Sequence, residues 1–388
     1  MMKGKAGIGS ILALLVAVVA THVAAAADRF VPDDPSFVVA NIAQSMPDDA
    51  LRTLLEQWRA APDAEEPAVA LARAFIDRAR ERREPRYFGR AEALLQARAG
   101  KPGAGAESRR LYAETLQFRH AFAPAEAILD ELLREQPHDA ETRLRRGSLR
   151  LTRGDFPGAR ADCVQLTLAR GAIAPAGFAC LAESLAGGGD LARARLLLDA
   201  MAGDSATLDA AARAYLLATR AELGERAGDV ASAILDYRRA SALAPQDDSI
   251  RAALADAMVA AGDGRAAVPL DVANPSLALL VRQAAITRDA NLVERAHDWL
   301  ALELARGDAI HHREAAMLAL AERRPADALA AARLNFESQR ELADVRVFAR
   351  AAVAARDPGA QEALRQWLAS TGYQDAITSA ILAGNSGG

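Results

Sequence analysis

The sequence predicts an all-α chain of successive antiparallel helix hairpins stacked into a solenoid. Three observations carry that prediction. Small residues recur in pairs twelve apart, as Ala113 with Ala125, Gly147 with Ala159, Ala182 with Ala194, Ala221 with Ala233 and Ala255 with Ala267. Between the members of most pairs stands a Gly-Asp turn, at Gly154-Asp155, Gly189-Asp190, Gly228-Asp229 and Gly262-Asp263. Prolines close two of the units, at Pro137 and Pro245. Helix axes approach to roughly 8–10 Å only where the touching side chains are small. Glycine accepts the left-handed conformation that stops one helix, and aspartate caps the next. A hairpin of this kind cannot bury its apolar face alone, so at least about three must stack.

The best-formed unit, counted from Ala214, puts alanine at positions 8, 20 and 27 (Ala221, Ala233, Ala240), glycine at 15 (Gly228), Tyr237 at 24 and Pro245 at 32. In this spacing the chain resembles the tetratricopeptide repeat family, whose unit is about 34 residues. The resemblance implies a right-handed α-solenoid whose concave face binds a protein or peptide. The same register runs from Ala106, Ala140, Pro175 and Asp248. It runs less completely from Ala72, around Arg86-Tyr87-Phe88, and from Ala309, around Arg323-Arg324-Pro325. The family's tryptophan at position 4 and tyrosine at position 11 are absent throughout.

In chain order, residues 1–27 read as a secretory signal peptide: Lys3 and Lys5, an apolar run from Ile8 to Ala20, and Ala-x-Ala cleavage within Ala24 to Ala27. The apolar run is short for a membrane span, so the membrane enters only if this segment stays uncleaved. Residues 28–71 form a proline-punctuated arm and a capping helix. Asp48 and Asp49 sit in its first turn, and Leu51, Leu54, Leu55 and Trp58 form one apolar stripe. The repeat array spans 72–268. Pro269 and Asn274-Pro275 mark a bend at 269–275. Residues 276–383 form further hairpins, closed by Gly372 and a short helix from Gln374, and 384–388 form a tail expected to be disordered.

Losing Lys3 and Lys5 from 47 basic residues against 51 acidic ones leaves a mildly acidic chain, so nucleic acid is not an expected partner. Cys163 and Cys180 fall on helices that should be neighbours. A disulfide fits an oxidising compartment, while two buried thiols acting as small hydrophobes are favoured, because helical cysteines often point past each other.

If the Ala72 register holds, Arg73, Arg80 and Arg83 take positions 2, 9 and 12, which in the resembled family line the concave face. That stripe would receive an acidic peptide or a C-terminal carboxylate. The plainer reading is a solvated surface paired with Asp77, Glu81 and Glu84. The same inner face continues through Arg110, Glu114, Gln117 and Phe118, then Leu144, Ser148 and Leu151, then Glu183, Tyr215 and Glu222. The lysine and asparagine with which some arrays of this family clamp chaperone tails are missing.

No catalytic motif stands out: there is no Gly-x-Ser-x-Gly elbow, phosphate loop or His-Glu-x-x-His. His311 and His312 are adjacent and point about 100° apart on a helix. His297 adds a weak third ligand, and His120 and His138 sit near helix ends. The expected function is an exported noncatalytic scaffold for an envelope complex, with no cofactor and an unnamed protein or peptide partner. The alternative is an accessory factor in metal or cofactor handling.

Overall fold

The computed structural model describes residues 49–82, 84, 86–101, 103–169, 173–203, 208–306 and 311–384. The signal segment, the arm before Asp49, Arg83 and the tail after Gly384 lie outside the described residues. The described residues hold nineteen α-helices and one 3-10 turn, with no strand.

Helix α1 (Asp49–Ala60) covers the first hairpin, α2 (Glu65–Arg82) with α3 (Arg86–Ala99). Its Leu51, Leu54, Leu55 and Trp58 pack in one cluster with Leu71, Phe75 and Leu95. The hairpins then follow in order: α4 (Ala106–Phe118) with α5 (Phe122–Glu135), α6 (Ala140–Arg153) with α7 (Phe156–Thr167), α8 (Ile173–Gly187) with α9 (Leu191–Gly203), and α10 (Ala210–Arg226) with α11 (Val230–Leu243). The first helices lie side by side, α4 on α6, α6 on α8, α8 on α10 and α10 on α12 (Asp248–Ala260).

The local chemistry is the chemistry of the turns. Gly154, Gly189 and Gly228 take positive φ, and Asp155, Asp190 and Asp229 accept from the backbone amides of Gly158, Arg193 and Ser232. The paired small positions are buried, from Ala113 and Ala125 through Ala221 and Ala233 to Ala316 and Ala328. One turn differs from the expected register. Helix α2 ends at Arg82 and α3 begins at Arg86, so Arg86, Tyr87 and Phe88 begin a helix instead of forming the turn. Pro85 explains the shift, because the residue before a proline is pushed out of the helical region.

At Asp248 the pattern fails where Pro269 stands. No α-helix follows α12 directly; residues 268–270 make a 3-10 turn that drops Leu270 onto Ala252, Ala255 and Leu279. Ala267, which the register would bury, is half-exposed. Hairpins resume with α13 (Leu277–Thr287) and α14 (Ala290–Arg306), α15 (His312–Ala321) and α16 (Pro325–Ser338), and α17 (Leu342–Ala354) and α18 (Pro358–Thr371), and end at α19 (Ala376–Leu382).

Cys163 and Cys180 are joined in a disulfide between α7 and α8, with Cα atoms 5.4 Å apart. The favoured reading of two free thiols is therefore corrected. Gly147 of α6 leaves room for the bridge, since a Cβ there would lie 3.1 Å from the Cys180 sulfur and 3.5 Å from that of Cys163. Helices α7 and α8 themselves cross at Gly177, where a Cβ would fall 2.6 Å from the Leu166 Cβ and 2.8 Å from its carbonyl carbon. Gly177→Ala is expected to cost about 1–3 kcal/mol through overpacking, read as a fall in the denaturation midpoint. An unchanged midpoint would remove this crossing from the determinants of the fold.

The chain also turns back on itself. The largest apolar cluster joins Phe156 of α7 to Phe348, Leu364 and Tyr373 of the last hairpins, with Leu151 and Trp367 packed against it. The Arg340 amide donates to the Thr152 carbonyl at 2.7 Å. A Cβ on Gly189 would meet the Gly372 backbone at 3.2 Å, so both turns approach as bare backbone. Arg346 of α17 lies buried between Glu225 of α10 (2.7 Å) and Asp375 (2.9 and 3.0 Å), and Tyr237 donates to the other Glu225 oxygen at 3.0 Å. Arg226 donates to the carbonyls of Gln374 and Ala186 and stacks over Tyr373 at 3.9 Å. The C-terminal hairpins thus sit against the C-terminal ends of α6, α8 and α10 and the turns that follow them.

Candidate functional site

The expected inner-face residues divide into two groups. In the first, charges pair along the stack. Arg73 bonds Glu107 and Arg80 bonds Glu114, each 34 residues on, one repeat length. Arg110 bridges Glu107 and Asp139, and Arg145 joins Glu114 to Glu141. Of the carboxylates weighed from sequence, Glu84 pairs with Arg86 at 2.7 Å, while Arg73 and Arg80 take Glu107 and Glu114. The surface pairs across repeats as well as along single helices, and the i, i+34 spacing of arginine and glutamate signals the cross-repeat pairs. Gln117 is half-buried. Phe118 stacks on Phe88 with ring centroids 3.8 Å apart, which makes it packing. Leu144 packs beside the disulfide.

In the second group, Ser148, Leu151, Glu183, Tyr215 and Glu222 come together. They line an open-sided chamber of about 700 Å³, to which Arg313, Arg346 and Arg350 of the C-terminal hairpins also contribute. That size falls within the roughly 300–1,000 Å³ of ligand pockets. Tyr215 is 39% exposed and lines the chamber. Sequence periodicity gave no sign of these arginines, because they arrive from hairpins far along the chain.

Most chamber charges are matched. Arg282 grips Asp256 at 2.9–3.0 Å. Arg313 bonds Glu341 and Asp344, and Thr152 donates to Glu341 at 3.0 Å. Arg340 also lines the chamber and donates to the Arg153 carbonyl at 3.1 Å, without a carboxylate; Glu183, Glu222 and Arg350 likewise have no ion-pair partner among the described residues. Glu183 accepts only hydroxyl hydrogen bonds, from Thr219 at 3.1 Å and Tyr215 at 3.3 Å. Glu222 and Arg350 make no hydrogen bond or ion pair among the described residues. Burial, with the Glu222 charge beside it, pushes the Glu183 carboxyl up to about 8. Burial also pushes Glu222 up to about 7, with Arg226 opposing and Glu225 reinforcing. Burial lowers the Arg350 guanidinium, with Asp256 opposing and Arg346 and Arg282 adding to the effect.

These shifts set a pH dependence. Each carboxyl is higher in the folded chain than its ordinary 4.5. The folded state therefore holds extra protons between about 4.5 and about 8, and stability falls as pH rises through that window. Glu183→Gln or Glu222→Gln, each a mimic of the protonated form, is expected to flatten the decline in Tm from mildly acidic to mildly alkaline buffer. Parallel wild-type and variant profiles would overturn it. His120, pushed down to about 4 by burial and the nearby His311, acts in the opposite sense but equally in all three proteins.

The histidines pair separately, His297 with Glu322 at 2.9 Å and His311 with Glu303 at 2.8 Å. Among the described residues no trio of His, Cys, Asp or Glu is placed to hold a metal ion, and no helix is long and apolar enough to cross a membrane.

No protein-family model and no curated protein matches the chain. Among solved structures it is similar to a tetratricopeptide repeat protein from Parabacteroides merdae, at 11% identity over 83% of this chain and 98% of that one, TM-score 0.39. It is similar to the Cut9–Hcn1 hetero-tetramer of the APC/C, at 12% identity over 78% of this chain and 52% of that one, TM-score 0.43. It is also similar to the P58(IPK) TPR domain, at 13% identity over 81% and 97%, TM-score 0.25. Superpositions this loose carry no function across. The fold stands on this chain's own hairpins.

Proposed function

We propose that this chain, a solenoid of tetratricopeptide-like hairpins, is a noncatalytic scaffold that holds an extended segment of a partner protein in its central chamber. One observation carries the reading: successive first helices α6, α8, α10 and α12 each contribute a lining side chain to the chamber, as Ser148, Glu183, Tyr215 and Asp256. A lining built from consecutive repeats suits an extended peptide, whose contacts also repeat. Export to the periplasm and a role in assembling an envelope complex belong to the same proposal. The composition of residues 1–27 and the Cys163–Cys180 bridge support them.

A photo-crosslinking amino acid at position 215 in the exported protein tests the scaffold role. Irradiation followed by mass spectrometry of periplasmic adducts is expected to yield a defined partner peptide, and Ser148→Trp, which narrows the chamber, is expected to suppress it. Adducts that persist unchanged in the Ser148→Trp background would place the partner elsewhere. N-terminal sequencing of the mature protein tests export, with a start after Ala27 expected.

A further inference from the structure

We propose that the chamber selects a segment bearing both a basic and an acidic side chain, the base received by Glu183 and Glu222 and the acid by Arg350. The inference rests on the reading that a peptide segment enters the chamber, and it names that segment's chemistry.

The basis is which charges the fold leaves over. Arg346 is consumed by Glu225 and Asp375, Arg282 by Asp256, and Arg313 by Glu341 and Asp344. Glu222 and Arg350 line the same chamber, from α10 and α17, and do not pair with each other. Removing a charge from water without a partner is costly. A half-buried cation and a half-buried carboxylate, both without an ion-pair partner among the described residues, form a site whose missing pieces are an anion and a cation. Glu183 extends the acidic pole: its ligands are only the hydroxyls of Thr219 and Tyr215, which leaves room for a cationic donor. Arg350 supplies the opposite pole as a planar fork suited to a carboxylate. A ligand carrying one charge would satisfy one pole and leave the other exposed to the same penalty, so the chamber discriminates against it.

Calorimetry on the full-length mature protein tests this, with acetylated and amidated peptides in which one lysine and one glutamate are separated by zero to four alanines. One spacing is expected to bind. Replacing its lysine or its glutamate by glutamine is expected to weaken binding at least ~10-fold. Arg350→Gln should remove the advantage of the glutamate peptide over its glutamine counterpart, and Glu222→Gln should reduce the advantage conferred by the lysine. Arg350→Lys, which keeps the charge, should retain binding within a few-fold and shows that loss in Arg350→Gln is not loss of folding. Equal binding of charged and uncharged peptides, or an affinity untouched by Arg350→Gln, overturns the proposal. Absence of binding across the peptide series, with the crosslink at position 215 still formed, removes the charge selectivity and leaves the scaffold role. Peptide binding with no crosslinked partner keeps the chamber chemistry and removes the scaffold role.

Discussion

Arg346→Ala is expected to destabilise the chain by about 3–5 kcal/mol, the usual consequence of removing one partner from a buried ionic cluster. Arg346, Glu225 and Asp375 are all nearly inaccessible, with side-chain exposures of 7%, 2% and 0%. Truncation leaves two carboxylates at one interface with neither cation nor water. The Asp375 carboxyl shows how strongly the arginine acts: burial pushes it up, yet the hydrogen bonds and charge of Arg346 hold it below its ordinary value. Urea denaturation followed by circular dichroism should show the lower midpoint, with Arg346→Lys intermediate because lysine keeps the charge and loses the fork. A midpoint unchanged in Arg346→Ala would mean that the C-terminal hairpins are not held to α10 by this cluster.

Asp162→Ala is expected to cost a similar ~3–5 kcal/mol, for a reason internal to one repeat. Asp162, on α7, receives Arg146 at 2.6 and 2.9 Å, Arg150 at 2.9 Å and Arg143 at 3.4 Å, all from α6. Asp130 shares Arg146, and Glu126 shares Arg150 and Arg153. Removing the one carboxylate on which three guanidinium groups converge leaves like charges crowded along a single helix face. Asp162→Asn keeps acceptor oxygen without charge and should fall between wild type and alanine. If thermal melting ranks asparagine with alanine, charge and not hydrogen bonding governs the site.

The sequence was legible where structure depends on neighbours. Gly-Asp turns and paired alanines describe one helix against the next, and those contacts repeat at a fixed spacing. Even the irregular turns keep the place: His120 and Arg323 stand at the glycine position of their units and adopt φ of 57° and 58° without being glycine. The first repeat was misplaced by a few residues because its turn has neither glycine nor aspartate, leaving only Pro85 as a marker. The inner face was half legible. Register alone points to Glu183, Tyr215 and Glu222, and all three are among the residues that line the chamber. The C-terminal hairpins that join them were not readable, since Arg346 meets Glu225 across 121 residues and periodicity reports only adjacent repeats. The ladder from Arg73 to Glu107 lay in plain view at one repeat length.

The return of the last hairpins onto the middle of the array has a kinetic consequence. In an open array each unit touches only its neighbours, so unravelling can begin at either tip and spread stepwise. Here Thr152 and Glu341 are tied across 189 residues. Closing so long a loop costs entropy that grows with the logarithm of its length, and raises the contact order toward that of slow folders. Assembly should therefore end with a late latching step, and a truncation that removes α17 to α19 should loosen α6 and α10, far away in sequence, before it disturbs α14.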